Sequence, residues 1–289
     1  MDKTHYFMVG MPSGGKTSYI VRLCSQLLMD EGNMMYHLLE GEMPQGYEYI
    51  KEQLDKMQSF QNIMRTFENT YFNMTLPLRN DEGKRFSLMI PDLSGEYYRK
   101  LVEERYVDKK IYDGLQQAEQ ILFFLNPETM EKEERLEYGE ISAIKLIDES
   151  MDTMKEGRFD DEIEESEKAT QSQVVELLQI LLYLVKKQVT IKFVISAWDR
   201  IEKKQQGNKI IPEEYLKNNF PLLHQCVISN TDRMEYEIFG VSAQGAEYSD
   251  EEEMKKLEKD NIEIDMLVKI VMPDGTEYHD ISRLLRKRE

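Results

Sequence analysis

Apolar and polar residues recur along the chain in two periods, which together predict an α/β fold. An apolar run at 6–9 has the length of a buried strand, and the apolar residues after it recur every three or four positions, as on one helix face: Ile20, Leu23, Cys24, Leu27 and Leu28. Further core strands are predicted at 71–79, 85–91, 119–125, 191–196 and 235–241, and a largely buried helix at 172–187. Strands that alternate with helices predict a mostly parallel sheet with helices on both faces.

Other segments carry shorter or weaker patterns. We predict a strand at 34–39, a helix at 45–57, an exposed helix at 97–110, a helix at 212–224, an extra strand at 264–272 and a short helix at 280–288. Asn-Asp-Glu-Gly at 80–83 is a hairpin turn signal between two of the strands. In a parallel sheet the ligand lies beyond the carboxyl ends of the strands, so residues that follow strands are the first candidates for a site.

The segment after the first strand has the pattern of a phosphate-binding loop. Residues 10–17 read Gly-x-x-x-x-Gly-Lys-Thr between a strand pattern and a helix pattern. The loop holds three glycines: Gly10, Gly14 and Gly15. Glycine lets the backbone approach a ligand closely, and successive N–H groups at a helix start form an anion-binding concavity. The alternative is a glycine-rich turn that binds nothing, but the strand before it and the helix after it favour a phosphate site.

A second signature follows the strand at 85–91. It reads Asp92-Leu93-Ser94-Gly95-Glu96. An acidic residue at the carboxyl end of a buried strand beside a phosphate loop can hold Mg²⁺, and the glycine three residues later can donate its N–H to a terminal phosphate. Asp-x-x-Gly is common by chance, and a strand-ending Asp in a turn is the alternative. Its position after an apolar strand, downstream of a phosphate loop, favours the metal site.

Composition narrows the classes of partner. The chain has 289 residues, 40% of them apolar, and a net charge of −18, which argues against a general nucleic-acid or anionic-membrane binder. Residues 128–170 hold 16 acidic and 6 basic residues, so this stretch alone contributes −10. We interpret it as a solvated acidic insertion, with an electrostatic docking arm as the alternative. The phosphate site can therefore be locally positive in an acidic protein.

Several common sequence signals are missing. The two cysteines, Cys24 and Cys226, suggest neither a disulfide framework nor a zinc site. The N-terminal residues lack the pattern of a signal peptide, and no run of about 18 apolar residues predicts a transmembrane segment. We expect a soluble, cytoplasmic protein.

Four signatures fall at predicted strand ends, at 10–17, 92–95, 196–199 and 242–244. With these motifs in this order the chain resembles a Ras-like P-loop GTPase of the TRAFAC class. The forms Asp-Leu-Ser-Gly-Glu and Ser-Ala-Trp-Asp are most similar to the prokaryotic double-GTPase families. The resemblance implies a three-layer P-loop NTPase fold. It also implies a single GTPase-like domain over 1–289, with the acidic insertion around 128–170 and a C-terminal extension around 246–289.

The resemblance also implies a role for each matched residue. Lys16 contacts the β and γ phosphates, Thr17 binds Mg²⁺ and Ser18 touches the α phosphate. Asp199 accepts two hydrogen bonds from guanine, and adenine offers no matching donors. The implied nucleotide-binding set is Gly10, Ser13, Gly14, Gly15, Lys16, Thr17, Ser18, Asp199, Ser242 and Ala243. The implied metal ligands are Thr17, Asp92 and Thr70, and the implied catalytic residues are Lys16, Gly95 and Glu96.

The base-reading motif departs from the family pattern. Ser196-Ala197 stands where the family has Asn-Lys or Thr-Lys, so the preference for guanine over adenine is left open. The family's lysine stem lies over the base. Trp198 either covers the base in its place or belongs to the core.

The second signature, at 92–96, also departs from the family pattern. Glu96 stands where Ras-like enzymes have a water-orienting glutamine, so hydrolysis is expected to be slow or to need a partner. The first-switch threonine is Thr70 or Thr66. We expect an Mg²⁺-dependent GTP-binding and GTP-hydrolysing switch that acts on a protein effector or partner GTPase. The alternatives are a nucleotide-binding interaction module with little turnover, and a P-loop kinase or ATPase, for which the chain lacks an arginine-rich lid.

Overall fold

The computed structural model describes residues 2–29, 34–39, 47–59, 71–80, 82–93, 95–130, 169–205, 209–248, 250–261 and 264–287. The strands are β1 (Asp2–Val9), β2 (Tyr36–Leu38), β3 (Tyr71–Asn80), β4 (Arg85–Leu93), β5 (Gln120–Leu125), β6 (Val189–Ser196), β7 (Met234–Ser242), β8 (Lys269–Val271) and β9 (Glu277–Tyr278). The α-helices are α1 (Lys16–Met29), α2 (Tyr47–Gln58), α3 (Gly95–Glu104), α4 (Lys109–Gln117), α5 (Gln171–Leu184), α6 (Trp198–Lys204), α7 (Pro212–Asn219), α8 (Pro221–Ile228) and α9 (Glu251–Lys259).

The strands form one sheet in the order β2-β3-β4-β1-β5-β6-β7-β8-β9. The central strands β4, β1, β5, β6 and β7 are parallel, and antiparallel strands extend the sheet on both sides. This arrangement confirms the predicted α/β fold. The carboxyl ends of the five parallel strands meet at one edge, where the predicted signatures begin.

Alternating side chains divide the core into two layers. Phe7 and Val9 face a layer built by helices α3 to α8, whereas Tyr6 and Met8 face a layer built by α1, α2 and the C-terminal segment. This alternation is the two-residue period of a strand that is buried on both faces. The sheet is therefore the middle layer of three. None of the helices in the described part of the chain is long and apolar enough to cross a membrane.

The predicted exposed helix at 97–110 is wrong in two respects. The structure has two helices there, α3 and α4, because Arg105 takes a left-handed conformation with φ 57° and ends the first one. Tyr98 and Leu101 are buried in the core, and the Tyr98 hydroxyl donates to the carbonyl oxygen of Met8 on β1. The scattered apolar residues of this segment therefore pack against the sheet.

Three other predicted elements differ from the structure. The helix predicted from Pro212 is split at Phe220, because Pro221 lacks an N–H and begins α8. The extra strand at 264–272 is reduced to β8 and is preceded by a 3₁₀ helix at Ile264–Leu267. The last helix, at Ile281–Leu285, is also 3₁₀. Most of the acidic insertion, residues 131–168, lies outside the described residues.

The C-terminal segment is fastened to the face of the sheet that carries α1. Strand β8 pairs with β7, and Leu284 and Leu285 are buried. The Tyr6 hydroxyl donates to the Leu285 carbonyl, and the Lys192 ammonium donates to the Leu284 carbonyl with an Nζ–O distance of 2.7 Å. The tail is thus part of the same core as the phosphate loop helix.

Burial makes Lys192 a source of pH dependence. The pKa of Lys192 is lowered from 10.5 to about 7, mainly by desolvation; the attraction of Glu237 opposes this shift and the repulsion of Arg286 adds to it. Between these two values the unfolded chain binds a proton that the folded chain lacks, so the free energy of unfolding rises with pH across this window. The slope is at most about 1.4 kcal/mol per pH unit.

We expect Lys192→Met to remove this slope, which is measured as the free energy of urea unfolding between pH 7 and pH 10. Lys187→Met, in the exposed turn before β6, is the matched control and should keep the wild-type slope. An unchanged slope in Lys192→Met would contradict the assignment.

Candidate nucleotide site

Strands β1, β5, β6 and β7 end side by side, and the loops that follow them face one another. The loop after β1 is the predicted phosphate loop, which leads directly into α1 at Lys16. The first N–H groups of α1 and its positive dipole end therefore point toward this edge. The short apolar run before the loop and the helical pattern after it place the loop here, as the sequence predicted.

Lys16 is folded back over its own loop. Its ammonium donates to the carbonyl oxygens of Gly10 and Met11 at 2.8 and 3.2 Å, and it lies 5.6 Å from the centre of the Tyr98 ring. The N–H of Gly14 donates to the same Met11 carbonyl at 3.2 Å. These bonds direct loop carbonyls toward the lysine, and carbonyls held there cannot point toward an anion.

The loop lies very close to the end of β6. A Cβ atom on Gly15, whose φ is +92°, would stand 2.7 Å from the Cβ of Ser196. The Ser196 Oγ is 2.9 Å from the Gly14 carbonyl oxygen and 3.1 Å from the Leu125 carbonyl oxygen, so its proton is shared between the loop and the end of β5. Ser196 therefore binds the phosphate loop from the end of β6.

The residues predicted to read the base lie at the ends of the neighbouring strands. The Ser242 hydroxyl, at the end of β7, donates to the Asp199 Oδ1 at 2.8 Å. Asp199 is in the first turn of α6 and is partly exposed. Ala243 follows Ser242, and its carbonyl oxygen accepts a 2.8 Å hydrogen bond from the Nε of Arg22 on α1. The helix that begins at the phosphate loop therefore also holds the loop after β7.

Trp198 belongs to the core. Only 1% of its surface is exposed, and its ring packs edge-on against Tyr215 at a centroid distance of 5.7 Å. A Cβ on Gly240 would stand 2.3 Å from the indole, so β7 has a glycine where the ring leaves no room for a side chain. Of the two alternatives that the sequence left open, the structure selects packing, since a ring buried in this way cannot cover a base.

The second signature also reaches this edge. Strand β4 is parallel to β1 in a register that pairs His5 with Met89, and continuing that register places the last residue of β4, Leu93, beside Val9. Asp92 is thus the penultimate residue of a strand that ends next to the phosphate loop. Gly95 and Glu96 are the first two residues of α3.

The donor types suit magnesium. Thr17 has a hydroxyl at the second position of α1, and Asp92, near the end of β4, has a carboxylate. Hydroxyl and carboxylate oxygens are the ligands that Mg²⁺ prefers, usually together with substrate phosphates. The two candidates for the first switch, Thr66 and Thr70, lie outside the described residues.

Sequence reasoning missed two of the side chains that hold the site. Asn126, directly after β5, donates from Nδ2 to the carbonyl oxygen of Ser13 at 2.9 Å. Arg22, buried on α1, holds the Ala243 carbonyl. Asn126 could have been found, because it follows a core strand at the same edge as the other signatures. Arg22 gives no such signal, since its partner is 221 residues away in the chain.

Ion pairs join the outer parts of these loops. The Arg200 guanidinium, next to Asp199, pairs with Glu247 after β7 and lies 3.7 Å from Glu128 after β5. Lys204 also pairs with Glu128. These side chains are partly exposed, so each pair contributes about 0–1 kcal/mol. These pairs connect the loops after β5, β6 and β7 and add little to the stability of the fold.

Comparison with known proteins gives three kinds of result. No curated protein matches the chain. One similar solved structure is a bacterial selenocysteine-specific elongation factor, with 14% sequence identity and a TM-score of 0.36. The match covers 90% of this chain and 29% of the elongation factor chain. Another is the signal recognition particle receptor complex SRb-GTP/SRX from Chaetomium thermophilum, with 11% sequence identity and a TM-score of 0.39. This match covers 84% of this chain and 92% of that chain.

A third similar structure is a small COPII coat GTPase from Encephalitozoon cuniculi in complex with GDP, with 12% sequence identity and a TM-score of 0.36. The match covers 90% of this chain and 84% of that chain. The chain spans 29% of the elongation factor's length. The sequence profile of a family described as Double-GTPase 1 matches residues 7–288, from β1 to the C-terminal segment. The chain therefore belongs to the Double-GTPase 1 family.

Proposed function

We propose that this protein binds GTP with Mg²⁺ and hydrolyses it to GDP and phosphate, and that a protein effector or a partner GTPase responds to the bound nucleotide. The observation that carries the proposal is the meeting of the Lys16 loop and the Asp199–Ser242 pair at one sheet edge. Ser196, at the end of β6, binds the loop three residues before Asp199. A nucleotide lying along this edge can place its phosphates in the loop and its base against Asp199.

The phosphate end of the site, formed by the loop of residues 10–17 and the start of α1, binds the phosphates by positioning and by charge. The N–H groups of Gly15, Lys16, Thr17 and Ser18 stand where the loop becomes α1, and the helix dipole adds positive potential there. The Lys16 ammonium, which bonds to the Gly10 and Met11 carbonyls, can turn its N–H donors to the β and γ phosphates when a nucleotide binds. Gly10, Ser13 and Gly14 give the loop its shape. The excess acidity of the chain does not prevent this, because the field near the loop comes from these nearby groups.

The base end of the site, formed by Asp199, Ser242 and Ala243, recognises guanine by matching its hydrogen-bond donors and acceptors. Ser242 binds one carboxylate oxygen of Asp199 and fixes the orientation of the group. The carboxylate can then accept from the N1 and N2 donors of guanine, whereas adenine would leave it without matching donors. In this proposal the N–H of Ala243 meets guanine O6. Ala197 has no long stem to lie over the base, so selectivity depends on Asp199 more than on stacking.

The metal end takes its ligands from three motifs. Thr17, Asp92 and Thr70 would hold Mg²⁺, with Thr66 as the alternative to Thr70. The bound ion neutralises charge that develops on the phosphates. The N–H of Gly95 would donate to the terminal phosphate, and Glu96 would orient the attacking water or accept its proton. Turnover is expected to be slow or partner-dependent, because a carboxylate at this position also repels the γ phosphate.

Glu96 also favours a second candidate function, a nucleotide-binding module with little turnover. The two candidates bind the same nucleotides and differ in hydrolysis. We further propose that 1–289 is one GTPase domain, because β8 and β9 continue the same sheet.

Nucleotide titrations test the two ends of the site separately. Lys16→Ala should weaken GTP, GDP, ATP and ADP alike, by about tenfold or more. Asp199→Ala should weaken only the guanine nucleotides, by roughly 10- to 100-fold, since a hydrogen bond to a charged group contributes about 1.5–3 kcal/mol. The measurement is fluorescence anisotropy with labelled nucleotides. Exposed Lys217→Ala and Asp232→Ala are the matched controls. Equal losses for guanine and adenine nucleotides in Asp199→Ala would contradict the base assignment.

Gly15→Ala tests the close packing of the loop. The added methyl would meet Ser196 at 2.7 Å and force a strained φ, so GDP affinity should fall about tenfold or more. Gly83→Ala is the control, because Gly83 has φ +76° with nothing within 4 Å of its Cβ position. It carries the backbone strain without the clash and should bind GDP as the wild type does. Wild-type affinity in Gly15→Ala would show that the loop can move away from β6.

Single-turnover hydrolysis of GTP separates the two candidate functions. For the enzyme, we expect Glu96→Ala to lower the rate about tenfold or more with little change in GTP affinity, since the residue acts on water. Glu103→Ala, exposed on the same helix, should keep the wild-type rate. A wild type that binds GTP without measurable turnover would support the binding module instead.

A further inference from the structure

We propose that Asn126 is a positioning residue that fixes the phosphate loop from the end of β5. The inference rests on the proposed nucleotide site and deepens it. Asn126 lies directly after β5, and its Nδ2 donates to the carbonyl oxygen of Ser13 with an N–O distance of 2.9 Å. Asn126 belongs to none of the four signatures at the strand ends.

Asn126 is well placed for this role because its other groups are also bound. Its Oδ1 accepts from the N–H of Glu128 at 3.0 Å, as the N-cap of the 3₁₀ helix Pro127–Thr129. Its carbonyl oxygen accepts from the N–H and the hydroxyl of Thr129, both at 3.2 Å. The amide can therefore present Nδ2 in one direction without further loss of side-chain freedom.

Ser13 is a loop residue with an unfavourable backbone conformation. Its φ of +56° is left-handed, which costs a residue other than glycine about 1–2 kcal/mol. A hydrogen bond to its carbonyl oxygen offsets part of that cost. On the other side of the same peptide, the Gly14 N–H is bound to the Met11 carbonyl. The peptide between Ser13 and Gly14 is thus held at both ends.

The next peptide is held in the same manner. The Gly14 carbonyl oxygen accepts from Ser196, and because a trans peptide is planar, the N–H of Gly15 points away from β6. Two successive carbonyls are thus held by side chains from the ends of β5 and β6. Their release would let these peptides rotate and turn a carbonyl oxygen toward the phosphates.

Capping and positioning use different atoms of Asn126, so substitutions can separate them. Asn126→Ser and Asn126→Asp keep an oxygen that caps the 3₁₀ helix but lose the donor that reaches Ser13, and only the aspartate adds charge. Asn126→Ala loses both. If Asn126 only caps, the serine and aspartate variants behave as the wild type. If it positions the loop, all three lose nucleotide affinity.

The experiment measures the affinity for fluorescently labelled GDP and the melting temperature of the nucleotide-free protein for these variants. We expect Asn126→Ser and Asn126→Asp to bind GDP about three- to tenfold more weakly, from the loss of one hydrogen bond, with melting temperatures close to the wild type. Asn126→Ala should show the same loss of affinity together with a lower melting temperature.

The outcomes distinguish the inference from the proposed function. Wild-type GDP affinity in Asn126→Ser, in a protein whose GDP affinity still falls with Lys16→Ala, overturns the role of Asn126 alone. Loss of affinity only in Asn126→Ala also overturns it, because that pattern is capping. A wild type whose GDP affinity does not respond to Lys16→Ala overturns the proposed phosphate site, and the role of Asn126 with it.

Discussion

The close approach of Ser196 to the phosphate loop is the contact on which the rest of the site depends. Its Cβ occupies the space that any side chain on residue 15 would need, and its hydroxyl binds both the loop and the end of β5. Because Asp199 lies in the first turn of the next helix, three residues later, the same contact helps to position the carboxylate relative to the phosphate loop.

Each strand end at this edge contributes a different chemical group, and buried side chains connect them. The end of β1 gives the anion-binding loop, β4 gives the acidic motif, and β6 and β7 give the Asp199–Ser242 pair. Arg22 links the first helix to the last of these loops. Helix α1 is therefore bound directly to both the phosphate loop, where it begins, and the loop after β7.

Local patterns predicted the elements that carry local signals. Periodicity and spacing predict the core strands and the phosphate loop, whereas the roles of Asp199 and Ser242 come from the resemblance to a GTPase family. The break between α3 and α4 was missed, because Arg105 takes a left-handed conformation that its residue type does not indicate. The role of Trp198 was left open, because only its packing against Gly240 decides it. The bond from Asn126 to Ser13 joins residues 113 positions apart, which no local pattern can reveal.

A crystal structure of the chain with Mg²⁺ and a non-hydrolysable GTP analogue tests the central claim most directly. The account predicts the β phosphate inside the loop of residues 10–17, the guanine edge against the Asp199 carboxylate, and Ser196 still bound to the Gly14 carbonyl. A nucleotide bound elsewhere would contradict it. So would a base turned away from Asp199 while the phosphates occupy the loop.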